Sequence, residues 1–96
     1  MIELSKLETA SEMLKAIAHP LRLAIVDMLD NKQSLSVTEI YESLEIEQAV
    51  ASHHLSILKN KGVLLSKRDG KNCYYELKHP RLSQIISCIN KCQNDI

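Results

Sequence analysis

The stretch Ser36–Gly62, SVTEIYESLEIEQAVASHHLSILKNKG, holds two helical patterns separated by three residues. Ser36-Val37-Thr38-Glu39 opens the first as a capping box. The Ser36 hydroxyl can accept from the Glu39 amide, and the Glu39 carboxylate can reach back to the amide of Ser36. Val37, Ile40, Tyr41 and Leu44 follow at three- and four-residue spacing, which sets them on the inner face of a helix over 36–45. Glu45-Ile46-Glu47 is too short for anything but a turn. A second helix then spans 47–61 and stops at Gly62, the residue type that commonly follows a helix end. Two helices joined by so short a turn form a helix-turn-helix.

The second of these helices has two different faces. Ala51, Leu55 and Leu58 point inward, with His54 flanking them. Gln48, Ala49, Ser52, His53 and Ser56 lie on the other side, towards the N-terminal half. His53 and His54 are adjacent, so they point about 100° apart and do not form a bidentate metal site by themselves. His53 is expected on the outer face, touching a base or a phosphate, and His54 is expected half-buried and hydrogen-bonded within the scaffold. The outer set suits the major groove of B-DNA, which admits one helix. Gln pairs bidentately with adenine, Ser serves several base edges, and Ala49 permits close approach to a thymine methyl. Lys59 and Lys61, near the far end, are placed for phosphates.

Outward from this pair, Leu4, Leu7, Ser11, Leu14 and Ile17/Ala18 mark a first helix over 4–18. His19-Pro20 ends it, and Pro20 suits the first turn of a second helix reaching Asp30-Asn31, followed by a polar loop over 31–35. Beyond Gly62 the period changes to two. Residues 63–68 and 71–77 flank Asp69-Gly70, a hairpin signal, with Cys73, Tyr75 and Leu77 on one face. Lys67, Arg68 and Lys71 surround the hairpin tip, giving a cationic finger for the DNA backbone or minor groove. Pro80 opens a last helix carrying Leu82, Ile85, Ile86 and Ile89, with Cys88 and Cys92 beside them. The expected fold is mainly α with a β-hairpin wing: a winged helix-turn-helix in the order α-α-α-α-β-β-α, one domain over 1–96.

The net charge of zero hides an asymmetry. Residues 1–47 hold four Lys/Arg against nine Asp/Glu, whereas 48–96 hold eight against three. An acidic body with a basic working surface fits a nucleic-acid partner. The longest apolar run, Leu23–Val26, is far short of a membrane span, and the first twenty residues lack a signal-peptide pattern, so a cytoplasmic protein with no membrane partner is expected. The three cysteines, Cys73, Cys88 and Cys92, are odd in number and form no CxxC pair, which favours reduced thiols.

His19 to Val26, Gln48 to Leu55, Leu58 through Lys61-Gly62-Val63-Leu64, and the wing followed by Tyr74-Tyr75 together resemble the ArsR/SmtB winged-helix repressors. The resemblance covers nearly the whole chain. It implies a homodimer built from the first and last helices (4–18 and 80–93), a pseudo-palindromic double-stranded DNA operator near a promoter, and release on sensing an inducer of unidentified type. The family's metal sites are missing from this sequence. Ser36, Val37, Thr38, Glu39 and Ile40 stand where one site needs a cysteine pair. On the last helix His79 stands alone, with Ile89, Asn90, Lys91 and Cys92 at the later positions. No metal or other cofactor is therefore expected.

Cys88 and Cys92, spaced i, i+4, share a helical face and offer a thiol-based metal or redox sensor as the alternative to plain apolar packing. A winged helix that binds only protein is the other alternative, but it has no use for the basic wing and polar helix face. Enzyme activity is not expected. The chain has only two glycines, Gly62 and Gly70, hence no phosphate loop, and Ser52, His53 and Ser56 share one convex helix without pocket-forming loops.

Overall fold

The structure, a computed structural model, describes residues 1–94. Helix α1 spans Leu4–Ile17 and α2 spans Pro20–Lys32. A two-residue strand β1 (Leu35–Ser36) leads into α3 (Val37–Leu44) and α4 (Gln48–Asn60). The wing is β2 (Leu64–Asp69) and β3 (Asn72–Leu77), and a 3-10 turn at Pro80–Leu82 precedes α5 (Ser83–Asn94).

Local chemistry sets most of these boundaries. His19 adopts an extended backbone before Pro20, which breaks α1 from α2, and its ring Nδ1 accepts the Leu21 amide at 3.1 Å. Helix α2 runs one residue past the expected Asp30-Asn31; the Asn31 side chain donates to the Asp27 carbonyl (3.1 Å) within the helix, and Gln33 at φ 65° ends it. The capping box forms in full: the Glu39 amide donates to Ser36 Oγ at 3.1 Å, and the Ser36 amide donates to Glu39 Oε1 at 3.0 Å. That amide holds the Glu39 carboxyl below the usual range. Ser36→Ala is expected to lower stability by about 1 kcal/mol, read from urea unfolding.

Between α3 and α4, Glu45 sits in the left-handed region at φ 55° and ψ 43°. The Ile46 amide returns to the Tyr41 carbonyl at 3.1 Å, which fixes the turn between the two helices. At the other end of α4, Gly62 at φ 80° lets its own amide reach Lys59 O (3.1 Å) and lets the Val63 amide reach Leu58 O (2.9 Å). This is the Schellman arrangement.

Three expectations need correction. The loop over 31–35 ends in a strand: Leu35 and Ser36 pair with Tyr75 and Tyr74, giving an antiparallel sheet ordered β1-β3-β2. The extended backbone that Ser36 needs as an N-cap also allows this pairing. The hairpin turns one residue later than Asp69-Gly70, because Asp69 pairs with Asn72 and the loop is Gly70-Lys71. Gly70, at φ 64°, supplies the first loop position, as a type II′ turn requires. Pro80 opens a 3-10 turn rather than the helix, with Ser83 Oγ donating to the Pro80 carbonyl at 2.9 Å.

The core lies under α4, where Ile25, Val26, Leu29, Ile40, Leu55, Leu58, Val63 and Leu64 are fully buried. Tyr75 and Leu77 pack against it, while Cys73 is only half-buried. Helix α1 gives the core Ala16 and Ile17 but leaves Leu4, Leu7 and Leu14 exposed at 70%, 46% and 53%. On α5, Ile89 is 44% exposed, and Cys88 and Cys92 are exposed as well, so neither thiol fills the core of a single chain.

Candidate nucleic-acid interface

Helix α4 separates its residues by chemistry. Ala51, Leu55 and Leu58 have no exposed surface and fill one side. Gln48, Ala49, Ser52, His53, Ser56 and Lys59 are all exposed, and they span an arc of about 140° on the helical wheel. Donors, acceptors and one methyl group thus share a convex ridge.

The wing tip presents Arg68 and Lys71 to solvent without a carboxylate in ion-pair range among the described residues. Lys67 is exposed too, but its ammonium stands 3.1 Å from Glu76 across the hairpin. An exposed pair of this kind contributes at most about 1 kcal/mol and can exchange its carboxylate for a phosphate. Lys61, read from sequence as a phosphate contact, is exposed and stands 3.2 Å from Glu12 of α1, a pair open to the same exchange. The Lys61 ammonium, with help from Lys15, keeps the Glu12 carboxyl below its ordinary value.

His54 differs from its expectation. It is 7% exposed and thus buried, and its Nδ1 finds no hydrogen-bond partner. Its neighbour is another imidazole, His19, with ring centroids 4.7 Å apart. Burial pushes the His54 pKa down, and His19, Arg22 and His53 push in the same direction. Sequence periodicity placed His54 beside the core, yet nothing in it paired position 54 with position 19.

The sequence also missed Val50, an apolar residue 38% exposed in the N-terminal half of α4. It projects between the polar ridge and the buried side, a position that a count of inward apolar residues passes over. Among the described residues no group of three His, Cys, Asp or Glu is placed to hold a metal ion. Nor is any of their helices long and apolar enough to cross a membrane.

Comparison with known proteins decides what carries this interface. Residues 19–66 match the family described as bacterial regulatory protein, arsR family. The chain belongs to the arsR family. The transcriptional repressor PagR of Bacillus anthracis is 39% identical over 92 residues, covering 96% of this chain and 92% of PagR. The crystal structure of PagR superposes with a TM-score of 0.83 at 38% identity, covering 91% of this chain and 99% of that one. HlyU from Vibrio cholerae N16961 superposes at 0.82 with 28% identity, covering 95% and 97%. This arsR-family chain is a DNA-binding transcriptional regulator with a winged helix-turn-helix fold, and the matched segment takes in α2, α3 and α4.

Proposed function

We propose that this chain is a cytoplasmic repressor that binds a pseudo-palindromic operator as a homodimer and leaves it on binding an inducer. The observation that carries the reading is the division of α4 into a buried apolar side and an exposed polar ridge, next to an exposed cationic wing. In this assignment α4 enters the major groove. Gln48, Ala49, Ser52, His53 and Ser56 meet base edges or nearby phosphates, with Val50 reaching a thymine methyl at the flank. Lys59 contacts phosphate, while Lys67, Arg68 and Lys71 lie along the backbone or in the minor groove.

The leucine stripe of α1 and the exposed apolar side of α5 form the dimer contact in this proposal, over residues 4–18 and 80–93. Their exposure supports it, since a lone chain gains nothing from Leu4, Leu7, Leu14 and Ile89 in water. The two copies of α4 would then reach half-sites about one helical turn, roughly 34 Å, apart or a multiple of it. Repression rather than activation is supported by the similarity to PagR, a named repressor.

Selection of bound duplexes from random DNA, followed by band-shift titration, tests the reading. A two-fold consensus is expected, and recovery of unrelated sequences only would oppose it. Arg68→Ala is expected to weaken binding to consensus and random duplexes alike, and to flatten the salt dependence by about two in the log–log slope of a dimer. Gln48→Ala should relax preference at one base step, by about 1–3 kcal/mol of discrimination. Equal effects of both changes on consensus and random DNA would contradict the division of labour.

A further inference from the structure

We propose that the His19–His54 imidazole pair positions the recognition helix on α2, and does so only while the buried His54 ring is uncharged, so that acid loosens the grip on DNA. The inference rests on the DNA-binding reading of α4 and adds a proton to the signals that α4 answers.

The joint has three parts. His19 is the N-cap of α2, and its Nδ1 must keep a lone pair to accept the Leu21 amide; a proton there removes the cap. His54 lies on the buried flank of α4, one helical step from the exposed His53, with its ring against that of His19. Arg22, one turn into α2, has a buried Nε without a hydrogen-bond partner. Charging the buried His54 ring would put a second cation near this half-buried guanidinium without an ion-paired anion.

The charges around the pair agree with this. His19 and Arg22 act on His54 from α2, and His53 acts from α4 itself, its ring centroid 5.7 Å away; all of these oppose a positive ring. Among the described residues no carboxylate forms an ion pair with His19, His54 or Arg22; Glu12 of α1 faces Lys61 and Lys15, Glu39 of α3 accepts the Ser36 amide, and Glu76 of β3 faces Lys67. Because the folded His54 value lies below the unfolded one, its contribution to stability is present above pH of about 6.5 and is lost as pH falls through the folded value.

Simple electrostatics predicts the reverse for DNA binding. A protein that gains positive charge in acid should by that alone bind the polyanion more tightly. The two effects therefore differ in sign.

The test measures binding of the full chain to a fluorescein-labelled duplex recovered by selection, at constant ionic strength, from pH 7.5 to 5.5. Wild-type affinity is expected to fall by about tenfold. Each variant is compared with itself across the same range. His54→Gln keeps a polar side chain without titration, and His19→Asn keeps a strong N-cap without an imidazole; both should respond less than about threefold. Wild-type affinity that holds or rises in acid, or variants that fall as steeply, would overturn the proposal.

Imidazole and amide NMR titration of the DNA-free chain gives a readout independent of binding. The Leu21 amide and the α4 amides from Ala51 to Leu58 should shift together with the His54 ring. Titration of that ring with those amides unmoved would also overturn the joint. Absence of duplex binding at pH 7.5 would instead sink the DNA reading, leaving the NMR result to decide on the joint.

Discussion

A chain carrying both Leu7→Glu and Leu14→Glu is expected to sediment as a monomer and to lose about 10²- to 10⁴-fold in affinity for a two-fold operator. The two leucines are 46% and 53% exposed in a single chain, so a carboxylate at either position stays in water and leaves the core of the protomer intact. Far-UV circular dichroism should therefore keep its helical signal. In a dimer the same carboxylates would enter an apolar contact without a partner, at a cost far above that of a surface change. Affinity falls because the second half-site is no longer held at a high effective concentration once the first is bound. An unchanged dimer, or a monomer that binds as tightly as before, would remove α1 from the assembly.

Leu55→Ala is expected to cost about 3 kcal/mol, within the range found for buried leucines, out of the 5–15 kcal/mol that small domains commonly possess. Leu55 has no exposed surface, lies on the back of α4 and belongs to the one core that α2, α3, α4 and the wing share. Urea unfolding at fixed chain concentration reads the loss. Ser52→Ala, one turn away on the exposed ridge, should change stability by no more than about 0.5 kcal/mol while weakening DNA binding. If the two substitutions traded effects, the assignment of the faces of α4 would be inverted.

The sequence made the helix-turn-helix legible because its determinants are local. The Ser36/Glu39 capping box, the three- and four-residue spacing of Val37, Ile40, Tyr41 and Leu44, and Gly62 at φ 80° all act within a few residues of one another. The exposed ridge of α4 followed from the same periodicity. What escaped depends on partners distant in the chain. Strand β1 exists because Leu35 and Ser36 meet Tyr75 and Tyr74, forty residues on. The ion pair of Lys61 with Glu12, and the tilted packing of His54 against His19, likewise join residues that no spacing rule connects. The one-residue error in the hairpin has another origin. Asp-Gly and Gly-Lys loops both place a glycine at positive φ, and the cross-strand register alone chooses between them.

Fluorescence anisotropy of a labelled operator-length duplex, titrated with the chain at a series of salt concentrations, tests most directly whether paired recognition helices and wings grip DNA. Saturation at two chains per duplex is predicted, with log affinity falling linearly against log salt at a slope of about −5 to −7, as expected for three or four phosphate contacts per subunit. Saturation at one chain per duplex, an affinity indifferent to salt, or no binding at low ionic strength would contradict the account.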